Sequence, residues 1–427
     1  MSGTIMLFVL LIVLMMASVP VGISLGVSTL ITMILTTDLN VITIPQYCFR
    51  GLDSFPLMAI PFFMLAGNLM RYGGLSEKLI NLASSIVGNM KGGIGCVTVL
   101  ASMFFAALSG SAPATVTAIG SNVIPEMEKR GYNRPYATAL TATAGTIGVI
   151  IPPSIPFVIY GVVSGASIGS LFIAGVIPGI VVGAVLIAVN YFFSRKYGYG
   201  GSEEKASFKK FLHELKESIW ALLVPIIILG GIYGGIFTPT EAAVVAVVYS
   251  LIIGIFVYKT LDWKKIYECF RDTGSMNGTT TFMVGLSMSF AAYLTLANVP
   301  GTVGALISSL SAPDFVILLL INLVLLIVGC FIDNISSTII LTPILLPIAV
   351  SLGMDPIQFG IVITVNLAIG FITPPYGVNL FYGTAVGNVT IEEISKKILP
   401  FIFAMLICLM LFTFIPGFSM FLPNLMK

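Results

Sequence analysis

Two stretches decide how this chain is read: Gly145-Thr-Ile-Gly-Val-Ile-Ile-Pro-Pro153 and Asn366-Leu-Ala-Ile-Gly-Phe-Ile-Thr-Pro-Pro375. In each, an apolar run with a glycine in the same place ends on a double proline. Adjacent prolines remove two backbone donors and disfavour helix in the residue before them. Each stretch therefore predicts a helix broken in its middle, with carbonyls near 147–151 and 369–373 left without helical donors. The two prolyl pairs are offset by 222 residues, and the same offset relates Pro125 to Pro347, Gly131 to Gly353, Gly148 to Gly370, Tyr160 to Tyr382 and Pro178 to Pro400. No gap is needed, so the chain is read as two copies of one unit.

Upstream of each break lies a second shared feature, a hydrophobic stretch interrupted by small polar residues. In the first copy it is Ser109-Gly-Ser-Ala-Pro-Ala-Thr115, between arms at Ile94–Leu108 and Val116–Ile124. In the second it is Asp333-Asn-Ile-Ser-Ser-Thr338, between arms at Phe315–Ile332 and Ile339–Ile348. Arms this short do not cross a bilayer, which takes about 20 residues, so each pair predicts a re-entrant hairpin. Irregular backbone at such a tip is tolerated only where protein or water surrounds it. Hairpin hydroxyls facing the freed carbonyls of the break make a hard-oxygen site for a small cation such as Na⁺, while the half-helix N-termini after each break favour an anion. Asp333 is the one acid in an otherwise apolar span. It is a functional candidate by default, with capping of the hairpin turn as the structural alternative.

Composition sets the environment. Of 427 residues, 57% are hydrophobic and 9% charged, with net charge +2 and mean hydropathy +1.06. A soluble domain does not hide that much apolar surface, and the length allows about ten to twelve membrane spans. The first basic residue is Arg50, so no basic leader precedes the apolar start. Ile5 onward is read as a retained membrane segment, split into two spans near Pro20.

Basic residues orient the chain because they collect on the cytoplasmic side. Clusters at Arg195–Lys216 and Lys259–Arg271, with Arg71, Lys78, Lys91, Lys129, Arg130 and Arg134, mark the inside. Asn298–Asp314 and Ser351–Pro356 carry no Lys or Arg and suit the outside, as does the Thr238-Pro-Thr-Glu241 turn between spans Ser218–Phe237 and Ala242–Tyr258. The first copy begins inside and the second outside, which makes the repeats inverted, a recurring plan of secondary transporters. Both chain ends are expected outside. Leu75–Met90 and Leu261–Phe270 are amphipathic and expected to lie along the interface.

Other classes find little support. There is no basic stripe interleaved with aromatics for nucleic acid, no Gly-Lys phosphate loop and no clustered His, Cys or paired acids for an enzyme. The five cysteines are scattered, and the single histidine, His213, sits in a charged loop. A binding-protein-independent carboxylate carrier of similar fold remains the alternative to the reading below.

The segments Ser109–Gly120, Gly148–Gly161 with Ile-Pro-Pro-Ser-Ile-Pro156, and Gly370–Gly383 with Thr-Pro-Pro-Tyr-Gly377 resemble the large membrane subunit of TRAP transporters, over essentially the whole chain. The resemblance implies an all-α membrane protein in the bacterial inner membrane, working as an elevator in which a domain carrying both hairpins slides along a scaffold. It implies one sodium site at Ser109, Ser111, Gly148 and Ile151 and another at Gly329, Asp333, Gly370 and Thr373. Substrate would lie between the tips, near Ala112, Pro113, Thr115, Asn334, Ser336 and Ser337. Implied partners are a small four-helix membrane subunit, expected as a separate chain because no such extension precedes Met1, and a periplasmic binding protein. Glu241 is a docking candidate for that protein, or a helix start. The substrate implied is an organic acid, with sialic acid (N-acetylneuraminate) first and four-carbon dicarboxylates second. The corresponding layout is a first repeat over 1–190 (hairpin about 94–124, broken helix about 136–165), a linker with a charged helix over 191–217, and a second repeat over 218–427 (hairpin about 314–348, broken helix about 357–387).

Overall fold

The computed structural model describes residues 2–37, 40–200, 207–309 and 312–426. Among these residues every regular element is helical. The chain opens with α1 (Ser2–Met16) and α2 (Val21–Thr36), which part at Pro20, then α3 (Thr43–Leu52), a 3-10 turn at Phe55–Met58, α4 (Ala59–Tyr72) and α5 (Leu75–Val87). Next come α6 (Gly93–Ser109), α7 (Ala112–Lys129), α8 (Arg134–Gly145), a 3-10 turn at Thr146–Val149, α9 (Ile155–Ser164) and α10 (Ile168–Tyr197). They are followed by α11 (Phe208–Tyr233), α12 (Pro239–Ile252) with a π turn to Val257, α13 (Trp263–Leu296) and α14 (Val299–Ser309). The chain closes with α15 (Asp314–Phe331), α16 (Asn334–Ser351), α17 (Pro356–Gly370), α18 (Val378–Gly387), α19 (Ile391–Phe414) and α20 (Gly417–Leu425).

Seven of the described helices are long and apolar enough to cross a membrane, or eight if the bent pair Thr43–Leu52 and Phe55–Tyr72 is one span. Composition alone suggested ten to twelve. Much of the difference lies in apolar helices cut short by caps and prolines, such as Gly93–Ser109, Ile155–Ser164 and Pro356–Gly370.

The helices form two packing groups. In the first, α4 and α13 lie side by side, with Asn68 Nδ2 donating to Thr273 Oγ1 at 2.9 Å and Tyr72 OH to Asp272 Oδ2 at 2.8 Å. Lys78 pairs with Glu217 at 2.9 Å, Ser218 Oγ donates to the Lys78 carbonyl at 3.0 Å, and Thr260 Oγ1 to the Gly73 carbonyl at 2.7 Å. The end of α4 and the start of α5 therefore meet α11 and α13, with Arg71 beside Asp272 and Lys78 beside Glu217, next to the two basic clusters that the charge pattern groups with them.

The second group is built around the broken helices. Arg134 Nε, at the start of α8, donates to the carbonyl of Gly387 at the end of α18, at 2.6 Å. Tyr160 OH, near the end of α9, donates to the Pro356 carbonyl at the start of α17, also at 2.6 Å. Start meets end in both contacts, so the two broken helices run antiparallel. Both are interior: every residue from Gln358 to Gly370 is buried, as is every residue from Tyr136 to Gly145. Small residues in Tyr136-Ala-Thr-Ala-Leu-Thr-Ala-Thr-Ala-Gly145 permit that close packing. Thr141 and Thr143 return their hydroxyls to the Ala137 and Ala139 carbonyls at 2.8 Å, which leaves neither hydroxyl unpaired in an apolar core.

Three expectations change. The polar runs at the hairpin tips are mostly helix: α7 starts at Ala112 and α16 at Asn334, not at Val116 and Ile339. Ser111 and Asp333 have extended backbone and accept a bond from the amide three residues on, at 3.5 Å and 3.0 Å, which is the work of an N-cap rather than of a long loop. Leu261–Phe270 is not a separate interfacial helix, because from Trp263 it continues without a break into α13, capped by Asp262. Likewise the charged stretch before Ser218 is the first part of α11, and α10 runs on to Tyr197. Residues 201–206 of the linker, and 310–311 of the outer segment, lie outside the described residues. Leu75–Met90 does hold a helix of its own, α5.

Candidate functional site

Each hairpin tip is seated on the break of its own copy. At the first tip, Gly110 closes α6 in the left-handed region, φ +61°, and its carbonyl accepts from Ile155 N at 3.3 Å. A Cβ at Gly110 would stand 2.6 Å from the Pro153 carbonyl oxygen, so only glycine lets the tip rest there. One turn away, a Cβ on Gly148 would meet Thr115 Oγ1 at 2.5 Å and the Ser111 carbonyl at 2.6 Å.

Ser109, Ser111 and Gly148 thus come together as expected, joined by Thr115, which the sequence placed with the substrate residues. Ile151 does not join them through its side chain, which packs against Gly179 of α10. The hydroxyls at this tip satisfy one another. Thr115 Oγ1 donates to the Ser111 carbonyl at 2.8 Å and lies 3.1 Å from Ser109 Oγ.

The second tip has the same frame and different chemistry. Gly329 and Gly370 touch backbone to backbone, and a Cβ on Gly370 would overlap the Gly329 main chain. Asp333 Oδ2 accepts from Ser336 N at 3.0 Å. Its other oxygen, Oδ1, is buried with no partner, as are Asn334 Nδ2 and Ser337 Oγ. Unpaired buried polar atoms are costly, and here three of them fall within five residues. Thr373 Oγ1 donates to the Ile369 carbonyl at 2.7 Å.

Fewer carbonyls are free at the breaks than the prolines suggested. Ile147 O accepts from both Ile150 N and Ile151 N at 2.9 Å, while Ile369 O and Gly370 O accept from Ile372 N and Thr373 N at 3.1 Å. Gly148 O stays open, since Ile151 N is spent on Ile147 and the next residue is Pro152, and among the described residues no backbone amide donates to Ile372 O or Thr373 O. A carboxylate oxygen, a hydroxyl oxygen and backbone carbonyls are the donor set a hard cation takes, and the residues of the second tip and its break include all three kinds.

Of the expected substrate residues, Ala112, Thr115, Asn334, Ser336 and Ser337 are buried in this state and Pro113 is half-buried. Ser336 Oγ lies 3.4 Å from Ser287 Oγ on α13. Glu241 is exposed and holds a capping box, accepting from Thr238 N and Oγ1 at 2.8 Å, which favours the helix-start role.

Sequence reasoning passed over one buried polar pair. Asn366 Nδ2 donates to Asn322 Oδ1 at 2.6 Å, and Asn322 Nδ2 to Thr413 Oγ1 at 3.1 Å. The signal was a single asparagine near the middle of each of two apolar helices, α15 and α17.

Comparison with known proteins supplies a family context. The family model described as tripartite ATP-independent periplasmic transporter, DctM component, matches residues 8–418. An isethionate TRAP transporter permease protein (DctMQ) of Oleidesulfovibrio alaskensis is 47% identical over 91% of this chain. The chain spans only 61% of that protein's length. A C4-dicarboxylate TRAP transporter large permease protein of Pseudomonas aeruginosa is 40% identical, covering 92% of each chain. A sialic acid TRAP transporter large permease protein of Vibrio cholerae is 39% identical, again over 92% of each. Among solved structures, the Alcanivorax borkumensis YdaH transporter, reported to have an unusual topology, superposes with a TM-score of 0.61 at 15% identity over 88% of each chain. That last likeness speaks for the fold alone.

Proposed function

This chain belongs to the DctM component family of tripartite ATP-independent periplasmic transporters, and from that premise we propose that it carries organic anions inward coupled to sodium. The observation that carries the ion-coupled reading is the second tip, where Asp333 Oδ1, Asn334 Nδ2 and Ser337 Oγ are buried and unpartnered beside the Gly329–Gly370 contact. Sodium at Asp333, Thr373 and the nearby carbonyls satisfies the acceptors. Asn334 Nδ2 is a donor and suits the anionic substrate instead. A second sodium binds at Ser109, Ser111 and Gly148, where the hydroxyls must turn from each other to the ion. The hairpins and broken helices then move as one body along α4 and α13.

The names of the relatives span a sulfonate, dicarboxylates and a sugar acid, and what these share is a small organic anion. Sialic acid is the substrate we put first and a C4-dicarboxylate second, and isethionate joins them as a third candidate. A small membrane subunit and a soluble binding protein complete the transporter in the inner membrane. The test is uptake into proteoliposomes containing this chain and the small subunit, with the three anions offered in turn. Uptake that needs both an inward sodium gradient and the matching binding protein supports the proposal. Uptake that ignores the binding protein supports a stand-alone carrier, and uptake that ignores sodium refutes the ion coupling.

A further inference from the structure

The two packing groups meet where the hairpin tips rest on the α4–α13 pair. On α4, Gly67 lies flush against the first tip, and a Cβ there would sit 3.2 Å from Ser109 Cα. On α13, the fully buried Ser287 faces Ser336 at the second tip, hydroxyl to hydroxyl at 3.4 Å. The 222-residue offset relates Gly67 to Ser289, so the two rests fall within two positions of equivalence. Small residues at both let a hairpin tip approach the supporting helix at close range. The rests differ in chemistry, because the first is packing alone while the second adds polar contact.

Ser287–Ser336 is a side-chain hydrogen bond that spans the two groups. Ser287 Oγ shares its single proton between the Met283 carbonyl at 2.8 Å and Ser336 Oγ at 3.4 Å. Ser336 N in turn is held by Asp333 Oδ2 at 3.0 Å. The supporting helix is thereby wired, through one serine, to the carboxylate whose other oxygen lacks a partner.

We propose that Ser287 is a positioning residue, a latch that holds the second tip against α13 in this state and is uncovered when the hairpins move. The inference rests on the sliding motion proposed above and adds which bond must break first. A long bond between neutral hydroxyls suits that task, since it biases one state without trapping it. Ligand arriving at Asp333 reorganises the turn that carries Ser336, and so reaches the latch.

The experiment uses the full chain with its small subunit in proteoliposomes and the substitution Ser287→Cys. Maleimide modification is followed at that one residue by peptide mass spectrometry, which separates it from the five native cysteines. Modification should be slow without sodium and rise several-fold under a sodium gradient with substrate and binding protein. Modified protein should also lose uptake. Equal rates under all conditions, in protein whose uptake is sodium-driven, would overturn the latch and leave the transport reading intact. If uptake proves sodium-independent, the ion coupling fails, and the latch is judged on whether substrate alone changes the rate.

If the cysteine variant does not reach the membrane, Ser287→Ala and Ser287→Thr replace it. Alanine should change the maximal rate by about two- to fivefold, the worth of one neutral hydrogen bond, with little change in substrate KM, and threonine should restore it. An alanine variant that matches the parent, or a threonine variant that behaves like alanine, would overturn the proposal.

Discussion

The two hairpin tips share a frame and differ in what they leave undone. Both close a helix, start another at an N-cap and sit on a proline break in the same copy. At the first tip, Ser109, Ser111 and Thr115 bond among themselves. At the second, aligned by the same offset, Ser111 becomes Asp333, Thr115 becomes Ser337 and Ile151 becomes Thr373, and three polar atoms are left unpaired. The first tip pairs its hydroxyls within the protein, whereas the second leaves polar atoms that the proposed ligand would satisfy. The two copies share the geometry, and a few differences within one copy leave its polar atoms unpaired.

The contrast is open to attack at the glycines first. Gly370→Ala puts a methyl into the Gly329 backbone, which has no side chain to move aside, and forced overpacking of this kind costs about 1–3 kcal/mol or more. We expect sodium-driven uptake to fall by at least about tenfold, with a lowered Tm of the purified protein. Gly148→Ala meets the Thr115 hydroxyl and one carbonyl, and should do less harm. Equal damage at both positions would mean the two seats are alike.

The next effect separates folding from binding. Thr115→Val removes the hydroxyl that joins Ser109 to Ser111 and should lower stability by about 1 kcal/mol, seen as a drop in Tm without ligand. Ser337→Ala removes an atom that has no partner, so Tm should hold, while the sodium or substrate concentration for half-maximal uptake rises several-fold. The opposite pattern would reverse the roles assigned to the tips.

Smallest is the supporting group. Lys78→Met breaks the Lys78–Glu217 pair, which is half-exposed, and should change Tm little, and less still in high salt. A large loss of uptake at normal expression would give that edge a role in movement which the geometry does not suggest.

Much of this was legible in the chain itself. Pro152-Pro153 and Pro374-Pro375 announced the breaks because proline acts locally, and the constant offset made one copy a check on the other. What the sequence hid is nonlocal or ambiguous. Ser111-Ala-Pro and Asp333-Asn read equally as loop or as the capped start of a helix, and only the backbone shows the latter. Ile151 sat at the right register, yet its side chain turned to the small surface of Gly179. Ser109, Ser111 and Gly148 gather at the first break, and Gly329 and Gly370 touch at the second. Gly67 and Ser287 carried no signal, since a lone glycine or serine in an apolar helix is ordinary until the hairpin tip above it is seen.

The central claim is that the second tip is built to be completed by sodium. Its most direct test is uptake against external sodium for the parent protein and for Asp333→Ala, with both shown to be folded by matching elution in detergent. The account predicts a steep sodium dependence in the parent and a flat response in Asp333→Ala, at the level the parent shows without sodium. An Asp333→Ala protein that keeps the full sodium response would contradict it.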